Sequence, residues 1–183
     1  AFVQGSVATY TFNSVFVVIV STAMAIFLSA TCAFAISRFK FRLKAVVWGY
    51  VLVGFLVNSY VLLMPLMILI RKMGLYNSLW TLSLVYATLA IPFNVFFFAA
   101  YMETIPRELE EAAVMDGANM WKVFWSVIMP ISKPAVFTLT TFHVLYAWSD
   151  YVIALLLLDI DHSTLPVGVA TVAMGKMQQN YGA

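Results

Sequence analysis

ETIPRELEEAAVMDGANMWKVFWSVIMPISKP, residues 103–134, is a polar stretch set between long apolar ones, and five of the chain's eight acids fall inside it. Two membrane spans can be joined by a few residues, so its length calls for a reason. Pro106 suits a first helical position, where its missing N–H costs nothing. Glu108, Glu110 and Glu111 follow within the first turns, near the positive end of the helix dipole. Leu109, Ala112, Ala113 and Asp116 recur at helical spacing. They predict a small, mostly apolar face opposite Arg107, Glu110, Glu111 and Val114. Gly117 fits the left-handed residue that ends a helix. Asn119 can cap a second short helix carrying Met120, Phe124, Val127 and Ile128 on one side. Pro130 is expected to stop that helix, and Pro134 to open the next span.

Outward from this stretch the chain is greasy. It has 183 residues, 63% hydrophobic and only 10% charged, with a mean hydropathy of +0.94. Soluble domains carry roughly twice that share of charge, about 25%. The composition excludes a soluble globule, and a net charge of +2 gives no reason to expect nucleic acid. Four apolar spans are predicted, at about 13–36, 45–70, 79–101 and 134–158, with the polar loop at about 103–133. Each is long enough for a hydrocarbon layer of about 30 Å. Residues 1–12 are expected as an outer loop or short interfacial helix, while 164–177 is too mixed to assign. Ser, Thr and Ala along the first span offer a surface for close helix packing. Pro92, near the centre of the third, should bend it.

Orientation follows from the cations. Arg38, Lys40, Arg42 and Lys44 crowd the first connection, and Arg107, Lys122 and Lys133 lie in the polar loop on the same side. Arg71, Lys72 and Lys176 fall opposite. That asymmetry puts the polar loop in the cytoplasm. Polar groups at membrane depth need partners or a watery path. Asn58, Asn94, His143 and Asp150 are the candidates for a solute path, with Trp148 beside them or in the interfacial belt. Thr140, His143, Tyr146 and Asp150 share one face of the fourth span. The alternative for each is a helix–helix hydrogen bond serving assembly. No spacing supports a metal site, since His143 and His162 are far apart and Cys32 stands alone. No nucleophile–base pair or phosphate-gripping Gly loop is visible, so the chain is not expected to be an enzyme.

Glu111-Ala112-Ala113, then Gly117, then Val127-x-Met129-Pro130 resembles the EAA loop of permease subunits in bacterial ATP-binding-cassette importers. Val127 and Met129 replace the usual Ile and Leu. The stretches GLYNSLW (74–80), IPF (91–93), WSDY (148–151) and TLPVG (164–168) resemble the carbohydrate branch, whose MalG-like members are the nearest in pattern. Ser149 and Tyr151 depart from the usual Trp-Asn-Asp-Phe.

The resemblance implies an all-α, polytopic membrane bundle of the MetI-like permease fold, here a fragment lacking the first and last of six spans. It also implies a multi-pass location in the bacterial inner membrane and uptake of sugars or related polyols. Expected partners are a second homologous permease, two cytoplasmic ATPases that bind ATP and Mg, and an extracytoplasmic solute-binding protein. No cofactor is expected in this chain. ATPase coupling falls on Glu110, Glu111, Ala112, Ala113, Asp116, Gly117, Ala118 and Pro130. Competing readings are an importer for another solute, a channel, or an ion-gradient transporter using His143 and Asp150 as a proton relay.

Overall fold

The computed structural model describes residues 2–57, 59–171 and 173, with side chains from Val7 onward except at 59 and 161. Every regular element among them is helical. Backbone crossing lipid must bond within its own segment or in a closed barrel, and this chain takes the first course.

Helix α1 (Phe2–Arg38) runs 37 residues. From Phe2 on it takes in the stretch expected as an outer loop or a short interfacial helix, which is instead continuous with the first span and holds no proline to stop it. Expected as one span, 45–70 is instead divided. Helix α2 (Lys44–Leu56) ends at Val57, whose backbone is extended. A 3₁₀ turn (Ser59–Leu62) leads into α3 (Leu63–Lys72). The restart places Pro65 in the first turn of α3, where no intrahelical bond is lost. Helix α4 (Leu79–Glu103) continues unbroken through Pro92.

The polar loop holds α5 (Glu108–Met115) and α6 (Met120–Val123). A π turn (Phe124–Ile128) and a single turn α7 (Met129–Ile131) follow. Pro130 does not stop the second short helix. A proline ring collides with the carbonyl four residues back in a regular helix. Here the preceding turn widens instead, and the Met129 N–H reaches back to the Phe124 carbonyl. The break comes at Ser132, and α8 (Lys133–Ser149) leaves at 75° to the Met120–Ile131 segment. The predicted 134–158 span is likewise split, into α8 and α9 (Val152–Leu157). Asp150 causes this: its carboxylate accepts from the N–H groups of Ile153 and Ala154, at 3.0 and 3.3 Å. From the position before the N-cap, Tyr151, it serves two amides of the new helix's first turn that have no intrahelical partner. Residues 165–171 are helical.

Among the described residues, two helices, Val7–Arg38 and Leu79–Glu103, are long and apolar enough to cross a membrane, and up to four spans result if each bent pair counts as one. The chain divides into two compact units. The first comprises residues 1–23, 58–87 and 143–183. Its fixed points are polar. Gly74 (φ 69°) closes α3, with Gly74 N–H on the Arg71 carbonyl and Leu75 N–H on that of Ile70. Asn77, also left-handed, donates its backbone N–H to Leu157 and accepts from the Asp159 N–H. Asn13 donates to the Ser163 carbonyl and Ser14 accepts from Leu165 N–H. The Tyr10 ring packs against Gly168, where an added Cβ would collide with it.

The second unit comprises residues 24–57 and 88–142 and is held by an apolar core. Ala30, Ala33, Phe34 and Ile36 of α1 meet Val95, Phe98, Ala99 and Met102 of α4, with Val123, Phe124, Ile128, Ala135 and Leu139. Phe55 stacks on Phe93 and Phe96. Gly54 lets α2 approach α4, since a Cβ there would stand 2.9 Å from Pro92.

Candidate functional site: the polar loop

The loop is anchored unequally. Val123, Phe124 and Ile128 are completely buried in the second unit's core, so α6 and the π turn belong to the bundle. Helix α5 buries one side chain only, Glu110. Glu111, Ala112, Val114, Met115, Asp116 and Gly117 are exposed, while Ala113 and Ala118 are half-buried against the core.

The turn between α5 and α6 is fully bonded. Gly117 sits at φ 81°, its N–H on the Val114 carbonyl, and the Ala118 N–H reaches the Ala113 carbonyl. This pair of hydrogen bonds is the Schellman termination of a helix, with Ala113 and Ala118 both packed against the core. Asn119 then caps α6, accepting from the Lys122 N–H at 2.8 Å. The two short helices therefore meet at a fixed corner.

Glu110 was expected on the outward charged side and lies inward instead. Its carboxylate stands 2.6 Å from the Arg38 guanidinium, a charge contact without hydrogen-bond alignment. Arg38 also donates from Nη2 to the carbonyls of Met102 (2.8 Å) and Ile105 (3.1 Å). Burial raises the Glu110 carboxyl above its ordinary 4.5. Arg38 and then Arg107 oppose the rise, and Glu111 adds to it. In the sequence Arg38 stands as one of four cations in the first connection. The signal available was that it comes first, directly after an apolar helix. Nothing in the sequence pairs it with a residue 72 positions away.

The solute-path candidates separate. His143 Nε2 is 3.0 Å from Ser21 Oγ, and its Nδ1 is buried without a partner. Asp150 accepts from the Tyr86 hydroxyl at 2.8 Å as well as from the two α9 amides, and the Tyr146 ring packs edge-on to Tyr86. Those three donors give Asp150 the bonding role offered as the alternative to a path role, with partners, Tyr86 here and Ser21 for His143, that no local signal in the sequence marks. Asn94 is buried in the second unit with its Nδ2 unpaired. Trp148 is partly exposed on α8. Asn58 lies outside the described residues. Among the described residues, no group of three or more His, Cys, Asp or Glu side chains could hold a metal ion.

Among the described residues, two helices long and apolar enough to cross a membrane, the second followed by a capped, two-helix polar loop, are the architecture of an integral membrane protein. Residues 25–169 match the family described as binding-protein-dependent transport system inner membrane component, and the chain belongs to it. It is 35% identical over 167 residues to a putative ABC transporter permease, ORF2, of Caldicellulosiruptor sp. (strain Rt8B.4), covering 91% of this chain and 61% of that one. It is 29% identical to the diacetylchitobiose uptake system permease NgcG of Streptomyces coelicolor, covering 100% and 61%. Identity to the trehalose transport system permease SugB of Mycobacterium tuberculosis is 33%, covering 86% and 58%. A crystal structure of a bacterial ABC transporter involved in the import of alginate superposes with a TM-score of 0.81 at 26% identity, covering 90% of this chain and 57% of that one. The chain spans about three-fifths of the length of the curated relatives it matches.

Proposed function

We propose that this chain forms the core of a permease subunit in an ATP-driven, binding-protein-dependent importer of sugars or related polyols in the bacterial inner membrane. A second permease, two cytoplasmic ATPases carrying ATP and Mg, and an extracytoplasmic binding protein complete the assembly. Diacetylchitobiose and trehalose uptake permeases among the relatives support the substrate class.

One observation carries the reading. Helix α5 is held at a bonded corner yet leaves Glu111, Ala112, Val114 and Met115 exposed. A surface that is fixed in angle but left open suits docking of a cytoplasmic partner. Closure of the ATPases would draw α5 inward and rock the spans. A switch from 1:99 to 99:1 needs about 5.5 kcal/mol of differential affinity, which ATP binding to the partner would supply.

Uptake of labelled trehalose and diacetylchitobiose by cells carrying the full-length permease and its partners tests this. ATP depletion should abolish uptake while a protonophore, with ATP maintained, leaves it intact. The reverse pattern would point to an ion-gradient transporter.

A further inference from the structure

A short helix fixed to a bundle ordinarily presents an apolar stripe to it. In α5 the apolar residues Leu109, Val114 and Met115 are exposed, and the only fully buried side chain is a carboxylate. Its partner Arg38 is the last residue of α1. The same guanidinium bonds the carbonyl of Met102, in the last turn of α4, and that of Ile105, in the linker to α5. A planar fork of donors lets one side chain serve several acceptors at once, which a lysine ammonium matches poorly. The Met102 carbonyl also accepts from the Ile105 N–H, so Arg38 adds a second donor there and ties the linker to the end of α4 through the Ile105 carbonyl.

We infer that Arg38 is a positioning residue for energy coupling: through Glu110 it fixes α5 to the ends of α1 and α4, so that a push on α5 moves both helices. The inference rests on α5 being the ATPase-docking element. Apolar packing would let so short a helix roll on its seat. A charge contact on one side and two carbonyl bonds on the other fix it in direction as well as in place.

The test uses the full-length permease assembled with its ATPase in lipid nanodiscs, in a Cys32→Ala background. Nitroxides at Glu108→Cys on α5 and Phe137→Cys on α8, both exposed positions, report the distance between the helices. Spectra are recorded with and without Mg-ATP and vanadate. The parent should give one narrow distance that shifts on trapping.

Glu110→Gln keeps the shape and removes the charge, so it should co-purify with the ATPase, give a broad distance distribution and lose the shift. Arg38→Lys, which keeps a cation opposite Glu110, should recover part of it. A Glu110→Gln protein as narrow and as responsive as the parent overturns the clamp. So does one that fails to assemble at all, since the pair would then serve folding alone. If the parent itself shows no shift with Mg-ATP, the docking reading falls and the clamp with it; a responsive parent beside an unaffected Glu110→Gln sinks the clamp alone.

Discussion

Two residues of the loop can be treated as isolated physical problems. Gly117 stands at φ 81° with open space around its missing Cβ. A Cβ there would meet no atom within 4 Å, so the penalty is chiefly conformational, about 1–2 kcal/mol. Gly117→Val should lower the thermal midpoint of the solubilised protein by that equivalent and reduce uptake per ATP hydrolysed, because the corner between α5 and α6 opens. Normal uptake stoichiometry would show that the corner need not be rigid.

Glu110 presents the opposite case, a charge where burial outweighs its partners. Its carboxyl is raised above 4.5, with Arg38, Arg107 and Glu111 as the charges around it. Folded protein then holds this proton at pH values where unfolded chain has lost it. Stability accordingly falls as pH rises from 4.5 through the raised value, and levels off above it. Glu110→Gln should remove that component from a plot of melting temperature against pH. An unchanged slope in the variant would assign the pH dependence elsewhere.

Elements here meet through missing side chains as much as through present ones. Gly54 brings α2 onto Pro92, and Gly168 lies against the Tyr10 ring. Replacing Gly54 with Leu should force α2 away from the Phe93–Phe96 face, at a cost of about 1–3 kcal/mol. The expected reading is a lower yield of folded protein and quenching changes at Trp48, whose ring packs edge-on to Phe96. Unaltered melting would mean that α2 has room to shift. Asn119 is a cleaner test of the cap, since its oxygen meets only the Lys122 amide among the described bonds. Asn119→Ala should cost about 1 kcal/mol, visible as faster amide exchange at Val123.

For the molecule as a whole, the sequence made the helical class, the left-handed Gly117 that ends α5 and the Asn119 cap legible, because each rests on chemistry within a few residues. Pro106, expected at the first helical position, instead lies outside α5, whose N-cap is Arg107. Misreadings occurred where a distant group decides. Glu110 looked like a surface charge until Arg38 arrived from the far end of α1. Asp150 reads in the sequence as a path residue or as a helix–helix bonding group, and only the fold brings the Tyr86 hydroxyl to it. Pro130 looked like a stop, because local rules give no notice that a turn can widen.

The charge asymmetry yields a prediction at this scale: an impermeant maleimide should label Glu108→Cys in inside-out vesicles and Met73→Cys in intact spheroplasts. Both side chains are exposed. Labelling with the two sides exchanged would invert the orientation and remove the loop from any cytoplasmic partner.

The widened turn at Phe124–Ile128 spends one more residue than a regular helix would need to keep its two flanks in phase. A chain one residue shorter, lacking Ser126, would therefore preserve the facing of Val123 and Ile128 but drive the Pro130 ring into the carbonyl behind it. Deletion should be harmful alone and mild when combined with Pro130→Ala. At this site, then, length and proline form a compensating pair, so that an indel in one lineage would be matched by loss of the ring.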